Sequence, residues 1–193
     1  STSLSSNLKA TFNRYRDLFK ATVQAEHAAV EVPMELLVDT GKWEGEARNR
    51  APARPCSRVK RDEIRRQVQD LLRFDCIEPS QSPHYSQVHL VEKTNGTWRF
   101  CIDFFRGLND SLKSFGWPIP NIRVLLQRLG EKRAKYYATM DLTSGYFQAP
   151  IAASSRKYTA FITDDGVYQW KRVPMGIKCA GSYFQQQIQC SAA

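Results

Sequence analysis

Two alternating runs on either side of Asn95-Gly96 constrain this fold more than any other feature. Val88 and Leu90 precede the pair, and Trp98, Phe100 and Ile102 follow it, with His89, Arg99 and Cys101 at the intervening positions. A period of two puts such side chains on one face of an extended strand, and an Asn-Gly pair readily takes the left-handed backbone of a tight turn. The chain is predicted to fold back there as a β-hairpin. Residues 158–162 and 167–171 predict a second hairpin, turning at Asp164-Asp165-Gly166.

Helical spacing accounts for much of the rest. Leu4, Leu8, Phe12, Tyr15 and Phe19, interleaved with Lys9, Arg14, Arg16 and Lys20, predict a basic amphipathic helix near the N-terminus. Ser57 is a candidate cap for a helix with the apolar face Ile64, Val68, Leu71 and Leu72, running to about Phe74 and barred from continuing by Pro79 and Pro83. Asn121 opens a short helix carrying Ile122, Leu125, Leu126 and Leu129, closed by Gly130. Residues 136–140 read as a buried strand delivering Asp141 at its end, and residues 178–189 read as a helix. Residues 39–58, with Gly41, Gly45, Pro52 and Pro55, predict an extended connector. Hairpins mixed with helices, without internal repeats, imply an α+β fold of hairpins packed against helices.

Charge points to a partner. With 28 Lys and Arg against 19 Asp and Glu among 193 residues, the net charge is +9, a balance that suits a polyanion such as nucleic acid. Arg48, Arg50, Arg54, Arg58 and Lys60 cluster in and just after the connector, as either a strap on phosphates or a solvated linker. Hydrophobic residues make up 42% of the chain, enough for the core of one domain or two subdomains. The five cysteines are odd in number, form no C-x-x-C pair and have no zinc-ligand spacing with the three histidines, so reduced thiols are expected. No signal-peptide pattern or bilayer-length apolar run appears. The expectation is an intracellular setting, cytoplasmic particle or nucleus left open, with no membrane partner. Ser1 and Ala193 both read as cuts in a longer protein.

A collinear series of short blocks carries a family resemblance. It runs Ile77-Glu78-Pro79-Ser80, Ser82-Pro83, Trp98-Arg99-Phe100-Cys101-Ile102-Asp103, Arg106, Leu108-Asn109 and Pro118-Ile119-Pro120. Met140-Asp141-Leu142-Thr143-Ser144-Gly145-Tyr146, Val173-Pro174-Met175-Gly176 and Phe184-Gln185 complete it. In order and spacing the series resembles the reverse transcriptases of Ty3/gypsy-type retrotransposons. The resemblance implies a right-hand polymerase, with residues 1–55 as a connector containing the amphipathic helix and residues 56–193 as fingers and partial palm. It also implies RNA-directed DNA synthesis on an RNA or DNA template-primer from deoxynucleoside triphosphates. Two Mg²⁺ ions would serve the full-length enzyme, and the rest of the Pol polyprotein, thumb and ribonuclease H included, would be the partner.

By the same resemblance Asp141 is a catalytic metal ligand, joined by the backbone carbonyl of Leu142. The amides of Ser144 and Gly145 face the triphosphate, and the ring of Tyr146 lies under the incoming sugar. Arg99 stacks on the base and contacts phosphate, and Lys93 is either a second phosphate contact or a solvated turn residue. Met175 and Gly176 line the pocket, supported by Gln185, while Phe184 and Val173 read as core. Asp103 and Arg106 are expected to pair with each other or with backbone groups.

Departures from the family pattern are also plain. The Tyr-x-Asp-Asp hairpin that supplies the other two metal carboxylates is absent from these residues. The adjacent Asp164-Asp165 stand in a turn instead, so this chain alone is expected to lack polymerase activity. A non-catalytic nucleic-acid-binding remnant of a degenerate element is the alternative. Phe104-Phe105 stand where one aromatic is usual, an addition that either reverses the strand's faces or is absorbed as a bulge. Gly181 replaces a common proline, and Cys179 a common polar residue.

Overall fold

The first helix, α1 (Thr2–Arg14), forms where the apolar spacing predicts it. Leu8 and Phe12 on it, and Tyr15 just after it, are exposed. The structure is a computed structural model describing residues 2–16, 30, 32–137, 139, 141, 142 and 144–191. Phe19 and Lys20, the end of the expected helical pattern, lie outside the described residues.

The stretch read as an extended connector is only partly extended. It holds α2 (Thr40–Gly45) and a 3-10 turn, Ala47–Arg50. Asp39 caps α2 by accepting a hydrogen bond from the Lys42 amide (3.1 Å). Trp43, 3% exposed, packs against His84 and Tyr158 with ring centroids 4.9 Å away in each case. Burying so large a ring outweighs the helix-breaking bias of Gly41 and Gly45. Just upstream, Met34 and Leu36 are buried in the same core.

Ser57 caps α3 (Arg58–Arg73), its side chain accepting from the Lys60 amide. Val68 and the partly buried Ile64 and Leu71 face the core, as the spacing predicts, while Leu72, expected on the same face, is exposed. The sheet follows: β1 (Ile77–Pro79), β2 (Ser86–Glu92), β3 (Trp98–Ile102), β4 (Phe161–Thr163) and β5 (Gly166–Trp170), in spatial order β1-β5-β4-β2-β3. All pairings are antiparallel except the short β2–β4 contact. Pro79 sits on an edge strand, where a missing N–H breaks no ladder. The first hairpin pairs Val88 with Ile102, Leu90 with Phe100 and Val91 with Arg99, and it turns through Gly96 at φ 75°.

Between β3 and β4 lie α4 (Leu108–Ser111), α5 (Ile122–Glu131), a 3-10 turn (Gly145–Gln148) and α6 (Ala153–Arg156), and α7 (Ala180–Ser191) closes the described chain. Two expectations change here. Of the strand expected over residues 136–140, Tyr136, Tyr137 and Thr139 are in no strand, with Tyr136 and Tyr137 81% and 63% exposed, and Ala138 and Met140 lie outside the described residues. A strand needs a ladder, and none of the five strands pairs this segment. The apolar face of α5 is likewise uncovered, with Ile122, Leu125, Leu126 and Leu129 exposed. Tyr158, expected in a strand, belongs to a 3-10 turn, Lys157–Thr159, so the second hairpin begins only at Phe161.

All five cysteines are free thiols. Burial pushes the Cys76 thiol up to about 11 and raises Cys179 as well, which suppresses the reactive thiolate. Cys190 is exposed. Under native conditions at neutral pH a maleimide is expected to label Cys190 well ahead of Cys76 and Cys179. Mass mapping of partly labelled protein checks this, and equal rates would contradict the burial described.

Candidate functional site

One cleft of about 870 Å³ opens between α3 and the first hairpin on one side and the Ser144–Phe147 turn on the other. It gathers Lys93, Arg99, Ser144, Tyr146 and Met175, five of the sequence-predicted site residues, from three separate chain segments. Arg99 reaches it because the hairpin register places it opposite Val91. Lys93 stands at the turn, where its amide donates to the Thr97 carbonyl (2.8 Å). Trp98 and Phe100 supply aromatic wall between them.

The floor depends on small residues. A Cβ at Gly145 would lie 3.2 Å from Phe184 Cζ and 3.3 Å from Leu142 Cβ, closer than packing comfortably allows. Ser144 sits in the left-handed region at φ 50°. The Gly145 amide donates to the Leu142 carbonyl (3.1 Å), so in this conformation it is engaged within the turn rather than open to a phosphate. Tyr146 packs edge-on against Phe184, centroids 5.4 Å apart. Phe184 is half-buried, whereas Val173 is core. Gly181 lies beneath the Tyr146 hydroxyl, where a Cβ would meet it at an ordinary 3.8 Å. Gln185, half-buried on α7, and Gly176 do not line the cleft.

Asp141 and Leu142 are exposed and lie outside the cleft lining. Among the described residues no group of three His, Cys, Asp or Glu side chains lies close enough to hold a metal ion. A two-ion site needs several carboxylates converging, so the donor set described here does not fit one. Asp164 and Asp165 occupy the β4–β5 turn and bind α3: Arg61 reaches Asp164 (2.6 Å), and Arg65 grips Asp165 through two bonds of 2.9 and 2.8 Å. The Arg65 guanidinium holds the Asp165 carboxyl below the ordinary carboxylate range.

Several residues with no role read from sequence shape the site. Asn109 donates from Nδ2 to the Gly176 carbonyl (2.8 Å) and accepts from the Lys178 amide (2.8 Å), clamping the loop that carries Met175. Glu63, Arg66 and Asp70 line the α3 wall as a chain of ion pairs at 2.6 and 2.9 Å. The Arg66 hydrogen bond holds the Glu63 carboxyl below its ordinary range against the effect of burial. Gln67 bridges Glu63 (2.6 Å) and the Trp98 carbonyl (3.4 Å), tying α3 to the strand that bears Arg99. Asp103 pairs with Arg54 (3.1 Å) rather than with Arg106.

Comparison with known proteins supplies independent findings. Residues 91–191 match the family described as reverse transcriptase (RNA-dependent DNA polymerase). Over 133 residues, 66% of the chain, it is 38% identical to the retrovirus-related Pol polyprotein from transposon 412 and 41% identical to that from transposon opus, both of Drosophila melanogaster. Over 136 residues, 68% of the chain, it is 33% identical to the enzymatic polyprotein of cauliflower mosaic virus (strain Strasbourg). The chain spans 10%, 13% and 20% of these relatives. Its fold matches the prototype foamy virus protease-reverse transcriptase (CSH mutant) at a TM-score of 0.78 and 22% identity, covering 97% of this chain and 24% of that one. The foamy viral protease-reverse transcriptase in complex with an RNA/DNA hybrid matches at 0.74 and 18%, with the same coverage.

Proposed function

Because this chain belongs to the reverse transcriptase (RNA-dependent DNA polymerase) family, we propose that its cleft is the fingers side of a polymerase site, serving RNA-directed DNA synthesis within a retrotransposon Pol polyprotein. The carrying observation is the convergence of Lys93, Arg99, Ser144, Tyr146 and Met175 on one opening. In this reading the planar Arg99 guanidinium stacks on the incoming base and bonds its phosphates, with Lys93 as a second cation. Tyr146 sits under the sugar, where its bulk disfavours a ribose 2′-hydroxyl. Met175 and Gly176 border the template side, and Gln185 backs them from α7.

Reverse transcriptases as a family use divalent metal ions. Asp141 with the Leu142 carbonyl is one donor pair toward such ions, and the Tyr-x-Asp-Asp that would complete the set is not in this sequence. Primer extension by the 193-residue chain alone is therefore expected to be undetectable. Template-primer, deoxynucleoside triphosphate and the rest of the polyprotein, thumb and ribonuclease H among it, are the proposed partners.

Arg99→Ala is expected to weaken binding of a fluorescent deoxynucleoside triphosphate, in the presence of primer-template, by roughly 10- to 100-fold, the worth of about 1.5–3 kcal/mol for hydrogen bonds to charged groups. Anisotropy titration reads this directly. Equal affinity for the variant and the original chain would remove Arg99 from the site. Failure of the original chain to bind primer-template at low salt would remove the reading itself.

A further inference from the structure

The exposed Arg99 guanidinium makes no hydrogen bond or ion pair with another described residue. Its place in the cleft is therefore set by its backbone, that is, by how the edge of the hairpin lies against α3. β3 is the last strand of the sheet, and along its antiparallel ladder with β2 the backbone groups of successive residues face alternately inward and outward. The Thr97 carbonyl accepts from the Lys93 amide across the hairpin (2.8 Å), so the Trp98 carbonyl, one residue on, faces off the free edge.

One face of α3 meets that edge. Lys60, Glu63 and Gln67 recur at three- and four-residue spacing, beside the core stripe of Ile64, Val68 and Leu71. The half-buried Gln67 donates from Nε2 to Glu63 Oε1 (2.6 Å) and to the Trp98 carbonyl (3.4 Å). Glu63 is itself held by Arg66, which donates to its two oxygens at 2.9 and 2.6 Å. An ionised carboxylate can only accept, so Glu63 fixes the Gln67 amide with its nitrogen toward the strand. Lys60 Nζ lies 5.2 Å over the Trp98 ring, so ring and carbonyl of Trp98 are both held from one helix.

We propose that Gln67 is a positioning residue for the incoming nucleotide: by holding the Trp98 carbonyl at the free edge of β3, it sets where the next residue, Arg99, stands in the cleft. The proposal rests on the reading of Arg99 as a nucleotide contact. No further strand flanks β3 among the described residues, and Gln67 supplies from α3 the bond that a neighbouring strand would make. A binding group displaced by on the order of 1 Å loses much of its effect, so a tie one residue from Arg99 acts on nucleotide affinity without touching the nucleotide.

The test is the anisotropy titration of a fluorescent deoxynucleoside triphosphate in the presence of primer-template, with the 193-residue chain and its variants. Q67L removes both donors and keeps the bulk of the side chain. It is expected to weaken nucleotide binding by about 3- to 10-fold, the scale of one hydrogen bond, and to leave primer-template affinity unchanged. Q67K, whose ammonium can donate to both Glu63 and the Trp98 carbonyl, is expected to restore nucleotide affinity. In the R99A background Q67L is expected to cause no further loss, because residues that act through one another are not additive.

Independent, additive losses from Q67L and R99A overturn the proposal, as does a Q67K chain as weak as Q67L. An equal loss of primer-template affinity in Q67L also overturns it, since that marks a general structural role. Original nucleotide affinity in Q67L, with R99A weakened, overturns the positioning role and leaves the cleft reading intact. Original affinity in R99A, or no binding by the original chain, overturns both.

Discussion

Trp43→Ala is expected to destabilise the chain by about 3–5 kcal/mol, the usual cost of removing a large buried aromatic. Trp43 is 3% exposed and joins three elements: its own helix α2, the approach to β2 through His84, and the turn before β4 through Tyr158. Its backbone carbonyl also accepts from Asn49, so losing the ring loosens the 3-10 turn beside it. Urea unfolding is the measurement. Against a total of about 5–15 kcal/mol for a domain, such a loss moves the midpoint far. The slope distinguishes two outcomes, because it scales with the surface exposed on unfolding. An unchanged slope with a lowered midpoint means that residues 34–50 unfold with the sheet. A near-unchanged midpoint would mean that this segment detaches on its own and that the core described here does not include it.

That tryptophan marks the boundary of what was legible in the sequence. Helix α3 and the first hairpin could be read because their signals are local: a serine cap, a 3.6-residue apolar stripe, and alternation around Asn95-Gly96. The helix at residues 40–45 could not, since Gly41 and Gly45 argue against it and the force that makes it, burial of Trp43 against residues 84 and 158, comes from far along the chain. The strand expected over residues 136–140 failed in the opposite sense at Tyr136, Tyr137 and Thr139. Its apolar run is local, but a strand needs neighbours that the described residues do not provide.

The site divides along the same line. Arg99 and Lys93 are singled out by the family resemblance, and the locally legible hairpin is what carries both to the cleft, while the Asp164-Asp165 turn follows from its flanking strands. The clamping by Asn109 spans 67 residues in sequence and the Gln67 bridge to Trp98 spans 31, so no spacing could announce them.

The doubled phenylalanine resolves by the same reasoning and yields a sharp contrast. β3 ends at Ile102, so Phe104 and Phe105 lie beyond the ladder and the added residue reverses no strand face. The Phe104 amide turns back to the Ile102 carbonyl (3.0 Å), and its own carbonyl accepts from the Asn109 amide (2.8 Å). Phe104 is thereby driven into the core at 1% exposure, while Phe105 stands out at 69%. Phe104→Ala is expected to cost about 3–5 kcal/mol, and Phe105→Ala no more than about 0.5 kcal/mol. The Phe104 ring also lies beside Gly176, where a Cβ would be 3.7 Å from its Cδ2, so its loss removes packing beneath the loop that presents Met175 to the cleft. Arg99 and Lys93 stand on the hairpin and do not depend on that loop. Phe104→Ala protein that remains folded is therefore expected to keep its primer-template affinity more nearly than its stability. Paired unfolding curves decide the matter: equal losses for the two variants would mean that both rings are buried, and a larger loss at Phe105 would mean that they exchange places.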